Sequence, residues 1–87
     1  MFFVYTLRSE RDGGLYIGFA PNLELRLEKH RNGLVRSTKY RMPLELIYYE
    51  AYKSKHDALI REKRLKNFAK GFASLKRRLE FSLMLQE

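Results

Sequence analysis

Residues 3–18 read FVYTLRSERDGGLYIG, and this stretch decides the fold. Its flanks, Phe2 to Leu7 and Leu15 to Phe19, are rich in aromatic and β-branched residues, which suit a pleated, half-buried surface. Between them Ser9 to Gly14 is polar and ends Asp12-Gly13-Gly14; glycine accepts the positive φ that tight hairpin turns demand. The reading is two antiparallel strands joined by a tight turn, with Tyr5 and Tyr16 near each other on neighbouring strands. Two phenols held side by side by a rigid hairpin are either ordinary core or part of a site, and the hairpin alone does not choose.

Outward from the hairpin, Ala20-Pro21-Asn22 leads into a helical pattern that runs to about Arg31. Either Asn22 is the N-cap or Pro21 occupies the first helical position. Asn32-Gly33 ends this helix, and Leu34 to Met42 follows as a loop carrying Arg36, Lys39 and Arg41 around Tyr40. Pro43 introduces a third strand, Leu44 to Tyr52. Its alternation sends Leu44, Leu46, Tyr48 and Tyr52 to one face and Ile47, Tyr49 and Ala51 to the other. Apolar bulk on both faces predicts a central strand with cover on both sides. Ser54 opens a second helix, with Asp57 placed close to a capping box, and Lys70-Gly71 breaks it after about Ala69. A third helix carries Phe72, Leu75, Leu79 and Leu83 at helical spacing. The order β-β-α-β-α-α predicts an α+β fold: a three-stranded antiparallel sheet flanked by helices, as one domain over residues 1–87.

The chain carries 18 Lys and Arg against 10 Asp and Glu, a formal net charge of +8. Such an excess on a small surface suits a polyanionic partner, nucleic acid ahead of an anionic membrane. With no cysteine there is neither a disulfide nor a thiolate zinc site. The apolar run at the N-terminus is too short for a signal peptide, and no stretch approaches the ~18 apolar residues of a membrane span. The expectation is a cytoplasmic protein.

Three polar residues fall in or beside an apolar stripe. At about 100° per residue, Leu23 and Leu27 define the inward stripe of the first helix, and Arg26 and His30 lie immediately beside it, one turn apart. The arginine stem could simply cover apolar surface, and the histidine could be a satisfied, partly buried one. In the second helix, Glu62 falls in the middle of the stripe formed by Ala58, Leu59, Leu65 and Ala69. A carboxylate there needs a partner, either a cation such as Arg26 or a metal ion. Asn67 lies well round the helix from it. Arg61, Lys63, Arg64 and Lys66, with Lys76, Arg77 and Arg78, read as solvated face. Together with the Arg36–Arg41 loop they suit a phosphate track with Tyr40 available for stacking.

These positions resemble the GIY-YIG nucleases. Phe3-Val4-Tyr5 stands where Gly-Ile-Tyr gives that family its name, and Tyr16-Ile17-Gly18 matches the second half unchanged. Arg26, His30 and Glu62 match the family's arginine, histidine and metal-binding glutamate, in order and on the expected elements. The whole chain looks like the short single-domain bacterial branch, similar to the nuclease domain of the DNA-repair subunit UvrC. Two departures stand out: Phe3 replaces the glycine, and Phe19 stands where UvrC-like domains carry a lysine, leaving His30 as the substitute helper of the base. The resemblance implies an endonuclease that hydrolyses phosphodiester bonds in nucleic acid, DNA more than RNA, with Mg²⁺ or Mn²⁺. Tyr5 would be the general base, its pKa lowered by Arg26 or by passing its proton to His30. Tyr16 would orient water or phosphate, Arg26 grip the phosphate, and Glu62 hold the metal. Gly18 would give the backbone room to approach substrate; Arg36, Lys39, Tyr40, Arg41, Lys66 and Asn67 complete the candidate substrate contacts. A lone module of this kind implies a homodimer or an accessory DNA-binding partner. The other reading is an inactive nucleic-acid-binding module.

Overall fold

The strand β1 (Phe2–Ser9) pairs on both sides in the computed structural model, which describes residues 1–85; positions 86 and 87 of the expected domain lie outside the described residues. It joins β2 (Leu15–Ala20) and β3 (Leu44–Tyr52) in an antiparallel sheet of order β2-β1-β3. The central strand is therefore β1, and β3 is an edge. Apolar residues on both faces of β3 report cover above and below it, which says nothing about how many strands lie beside it.

The hairpin forms as its residues demand. The Gly13 amide donates to the Ser9 carbonyl at 2.8 Å and the Ser9 amide to that of Gly14 at 2.9 Å, with Gly13 at φ +74°. On the other side of β1 a bulge interrupts the register, so that Thr6 faces Tyr48 while Leu7 faces Leu46. The extra residue, Ile47, breaks the simple alternation. Leu44, Leu46 and Tyr49 share the Tyr5 face, whereas Ile47, Tyr48 and Tyr52 pack with Val4 on the opposite one.

Helices cover both faces. The helix α1 (Leu23–Arg31) lays Leu23 and Leu27 against Tyr5, Leu7 and Ala20. Its cap is Asn22, whose side-chain oxygen accepts from the Leu25 amide at 3.0 Å, which excludes Pro21 from the first helical position. Three helices line the other face: α2 (Lys55–Asn67), α3 (Ala69–Arg78) and α4 (Glu80–Met84). Ala58, Leu65, Leu75 and Leu79 close there on Val4 and Ile17. Burying one such leucine contributes about 1.5–3 kcal/mol. Ser54 caps α2, accepting from the Asp57 amide at 3.3 Å.

The break after α2 falls at Phe68, whose φ of −121° and ψ of 107° are extended; Gly71 lies inside α3 instead of ending α2. The expected third helix is itself split at Leu79 (φ −98°, ψ 14°). Arg8 fastens the last piece, donating to the Leu83 and Leu85 carbonyls and pairing with Glu45 at 3.0 Å. Among the described residues no helix is long and apolar enough to cross a membrane.

Candidate active site

Strand alternation puts Tyr5 on the α1 face of the central strand, directly opposite Gly18 of β2. A Cβ at Gly18 would overlap the Cζ and Oη atoms of Tyr5. The glycine of the second motif is thus required by the phenol of the first, a closer constraint than room for a substrate. Tyr16, opposite Leu7, brings its ring to 6.3 Å from that of Tyr5.

The last turn of α1 delivers His30 to the same place, its ring 5.6 Å from Tyr5 and 5.5 Å from Tyr16. His30 Nε2 lies 2.8 Å from the Tyr5 hydroxyl, and Nδ1 lies 2.7 Å from Thr38 Oγ1. All three side chains are sealed: Tyr5 and Thr38 belong to residues 0% exposed and His30 to one 1% exposed. Thr38 was not among the sequence candidates. A hydroxyl in an irregular loop carries no periodicity, and only the fold brings it under His30.

Arg26, one turn before His30, lies beside the Tyr5 and Tyr16 phenols, which hold its pKa up. Among the described residues its buried Nε has no partner. An unpaired buried guanidinium N–H is costly, and an anionic oxygen is the kind of acceptor that satisfies one. The charge also sets the protonation of its neighbours. Burial, with Arg26 adding to it, pushes His30 down to about 4, so the ring is neutral at neutral pH. Burial pushes Tyr5 up, opposed by Arg26 and reinforced by Tyr16 and Glu62. The expectation that Tyr5 is lowered in the free protein is therefore corrected, because desolvation outweighs the arginine. With its pKa near 4, His30 is also a poor recipient for the Tyr5 proton.

Glu62 comes from α2, on the other side of the sheet. Its side chain is 19% exposed and pairs with Lys66 at 3.2 Å, not with Arg26. Its charge is nonetheless felt at Tyr5. The apolar stripe around it is narrower than expected: Ala58 and Leu65 are buried, Leu59 is exposed, and Ala69 belongs to α3. Beyond Glu62, Lys66 and Asn67 join Tyr16 and Phe72 in the wall of a groove of about 490 Å³ along the β2 edge.

The loop before β3 divides its basic residues. Arg36 and Lys39 are exposed, and Lys39 Nζ lies 4.8 Å from the ring centre of the exposed Tyr40. Arg41 instead pairs with Asp12 at 3.2 Å and lies against Gly14, so this expected substrate contact ties the loop to the hairpin turn. Ser9 Oγ donates to the Arg41 carbonyl at 2.6 Å and Arg11 to that of Tyr40 at 2.9 Å, which fixes the loop further. Arg61, expected on the solvated face, grips Glu50 through two bonds of 2.9 and 3.0 Å. Glu50 also accepts from the hydroxyls of Tyr48 and Tyr52; burial first, then that bond, pushes Tyr52 up to about 12. Its signal in the sequence was a lone carboxylate within the aromatic strand YYEAY.

A tyrosine pair across a hairpin is closed by arginine and histidine one turn apart on the next helix, so two phenols, an imidazole and a guanidinium share one polar site. The sequence model of the GIY-YIG catalytic domain matches residues 1–72, and the chain belongs to that family. It is similar to a UPF0213 protein of Staphylococcus epidermidis, 42% identical over 69 residues that cover 78% of this chain and 83% of that protein. UPF0213 proteins of Staphylococcus aureus and Staphylococcus saprophyticus are 41% and 39% identical over the same lengths and shares. No solved structure matches the chain.

Proposed function

We propose that this protein is an endonuclease that hydrolyses phosphodiester bonds in nucleic acid, DNA rather than RNA, with one divalent ion, Mg²⁺ or Mn²⁺. The observation that carries this reading is the buried, unpartnered Nε of Arg26 beside the Tyr5 hydroxyl. It is a phosphate donor placed next to a base. Arg26 takes the scissile phosphate and holds it more tightly as negative charge builds. Tyr5, as the phenolate, removes a proton from the attacking water. Tyr16 orients the phosphate, and the groove beside it, with Lys66 and Asn67, receives the flanking strand. The exposed Arg36, Lys39 and Tyr40 extend the track.

Glu62 would hold the ion. Among the described residues no group of three or more His, Cys, Asp or Glu converges. One carboxylate without such neighbours fits Mg²⁺, which keeps most of its waters, and does not fit a closed zinc-type site. When bound, the ion polarises the phosphate and stabilises the leaving oxygen.

Lys66 favours one competing reading, a nucleic-acid-binding module without activity, because it already neutralises Glu62 at 3.2 Å. Cleavage of plasmid, single-stranded DNA, branched DNA and RNA with Mg²⁺ or Mn²⁺ decides between them. The nuclease reading expects cleavage that Glu62→Gln and Tyr5→Phe each abolish while salt-dependent binding persists. Binding without cleavage of any of these substrates, with either metal, would overturn it.

A further inference from the structure

We infer that Thr38 is a positioning residue for Tyr5: its hydroxyl donates to His30 Nδ1, which fixes the ring proton on Nε2 and aims that N–H at the Tyr5 oxygen. The hydrogen bonding rests on geometry alone; its use in catalysis rests on the nuclease reading.

The argument is a count of hydrogens. A neutral imidazole is a donor at one nitrogen and an acceptor at the other. Thr38, His30 and Tyr5 together carry three polar hydrogens, from one hydroxyl, one ring N–H and one phenol. The geometry offers two bonds, 2.7 Å at Nδ1 and 2.8 Å at Nε2. Among the described residues neither hydroxyl has another hydrogen-bond partner. One hydrogen is surplus while Tyr5 remains a phenol. If the chain ran from Tyr5 through His30 to Thr38, the surplus hydrogen would sit on the Thr38 hydroxyl, as sealed as Tyr5 and, unlike the phenol, not ionisable. If it runs from Thr38 through His30 to Tyr5, the surplus hydrogen is the phenol proton itself. Losing that proton leaves two hydrogens for two bonds, and every polar atom of the chain is then satisfied. The ionised Tyr5 is the state this arrangement fits.

The charged and titratable groups around Tyr5 pull in opposite directions. On α1, Arg26 favours the ionised oxygen; Tyr16 on β2 and Glu62 on α2 disfavour it; Tyr49 of β3 is its partner in register. His30 adds a second donor to the favourable side. A bond accepted at Nδ1 polarises the ring and strengthens the Nε2 donor, which is how a hydroxyl two groups away acts on the phenol. Thr38 also lies in the loop carrying Arg36, Lys39 and Tyr40, so the surface track and the phenol share one support.

The test follows Tyr5 ionisation by ¹⁹F NMR in protein labelled with fluorotyrosine, the Tyr5 signal being assigned by its loss in Tyr5→Phe. Thr38→Val should raise the Tyr5 midpoint by about one pH unit, a tenfold loss of ionised Tyr5 at fixed pH. Thr38→Ser should leave it at the native value. An unmoved midpoint in Thr38→Val, or an equal shift in Thr38→Ser, overturns the proposal. A second measurement needs no change at position 38. With His56→Gln removing the other imidazole, the ¹⁵N shifts of His30 above the Tyr5 midpoint should show Nε2 protonated and Nδ1 bare. The reverse pattern overturns the proposal. Neither readout requires cleavage, so a failure of the nuclease reading is seen separately.

Discussion

Acid should weaken this fold well before its carboxylates titrate, and His30 is the reason. The residue is 1% exposed, and burial with Arg26 beside it pushes its pKa from 6.5 down to about 4. Between those values the unfolded chain binds a proton that the folded chain refuses. Stability therefore rises with pH across this window and falls as pH drops through it. Each pH unit inside the window is worth about 1.4 kcal/mol, so the full window costs about 3 kcal/mol. That is a large share of the roughly 5–15 kcal/mol that holds a small domain together. Glu50 and Asp12, both held below the usual carboxylate range, act with the same sign but only below their ordinary values of 4.5 and 3.8. Urea denaturation followed by circular dichroism from about pH 7 to about pH 5, in a His56→Gln background, isolates the effect. The midpoint should fall steadily with pH, and His30→Gln should flatten the profile. A flat native profile, or an undiminished slope in His30→Gln, would refute the reasoning.

Gly18→Ala should lower stability by about 1–3 kcal/mol, because the new Cβ falls on the Tyr5 phenol and forces it off His30. Calorimetry should show a melting temperature lower by at least several degrees, and an unchanged one would mean that the ring has room to move aside. Arg61→Ala should cost about 2 kcal/mol, because it strips a carboxylate only 12% exposed of its cation; the figure is reduced from the fully buried case because Arg61 is itself 28% exposed. Restoring neutrality with Arg61→Ala and Glu50→Gln together should recover part of the loss in urea, and strictly additive effects would deny the coupling.

The hairpin was legible because two kinds of local information agree on it: residue types that suit a pleated surface, and glycines where the turn needs them. Arg26, His30 and Glu62 stood out for a different reason, since Arg26 and His30 border an apolar stripe and Glu62 interrupts one, and such conflicts gather at sites. What stayed hidden depends on relations that periodicity does not encode. The edge position of β3 depends on which strand β1 pairs with, and a bulge of one residue undoes the face assignment of Leu46 and Tyr48. Arg41 and Arg36 look alike in the loop, yet only Arg41 has Asp12 across the turn. The case of Glu62 joins both lessons. Its position demanded a cation, and Lys66, one helical turn along the same face, supplies it at 3.2 Å. The expected partner was a cation, with Arg26 as the example, or a metal ion; the cation found is a lysine that had been read as solvated surface. Arg26 is thereby left free of Glu62, with its Nε buried and unpaired beside the two phenols. With Glu62 paired locally, the unpartnered Arg26 Nε is the state that the proposed nuclease function requires.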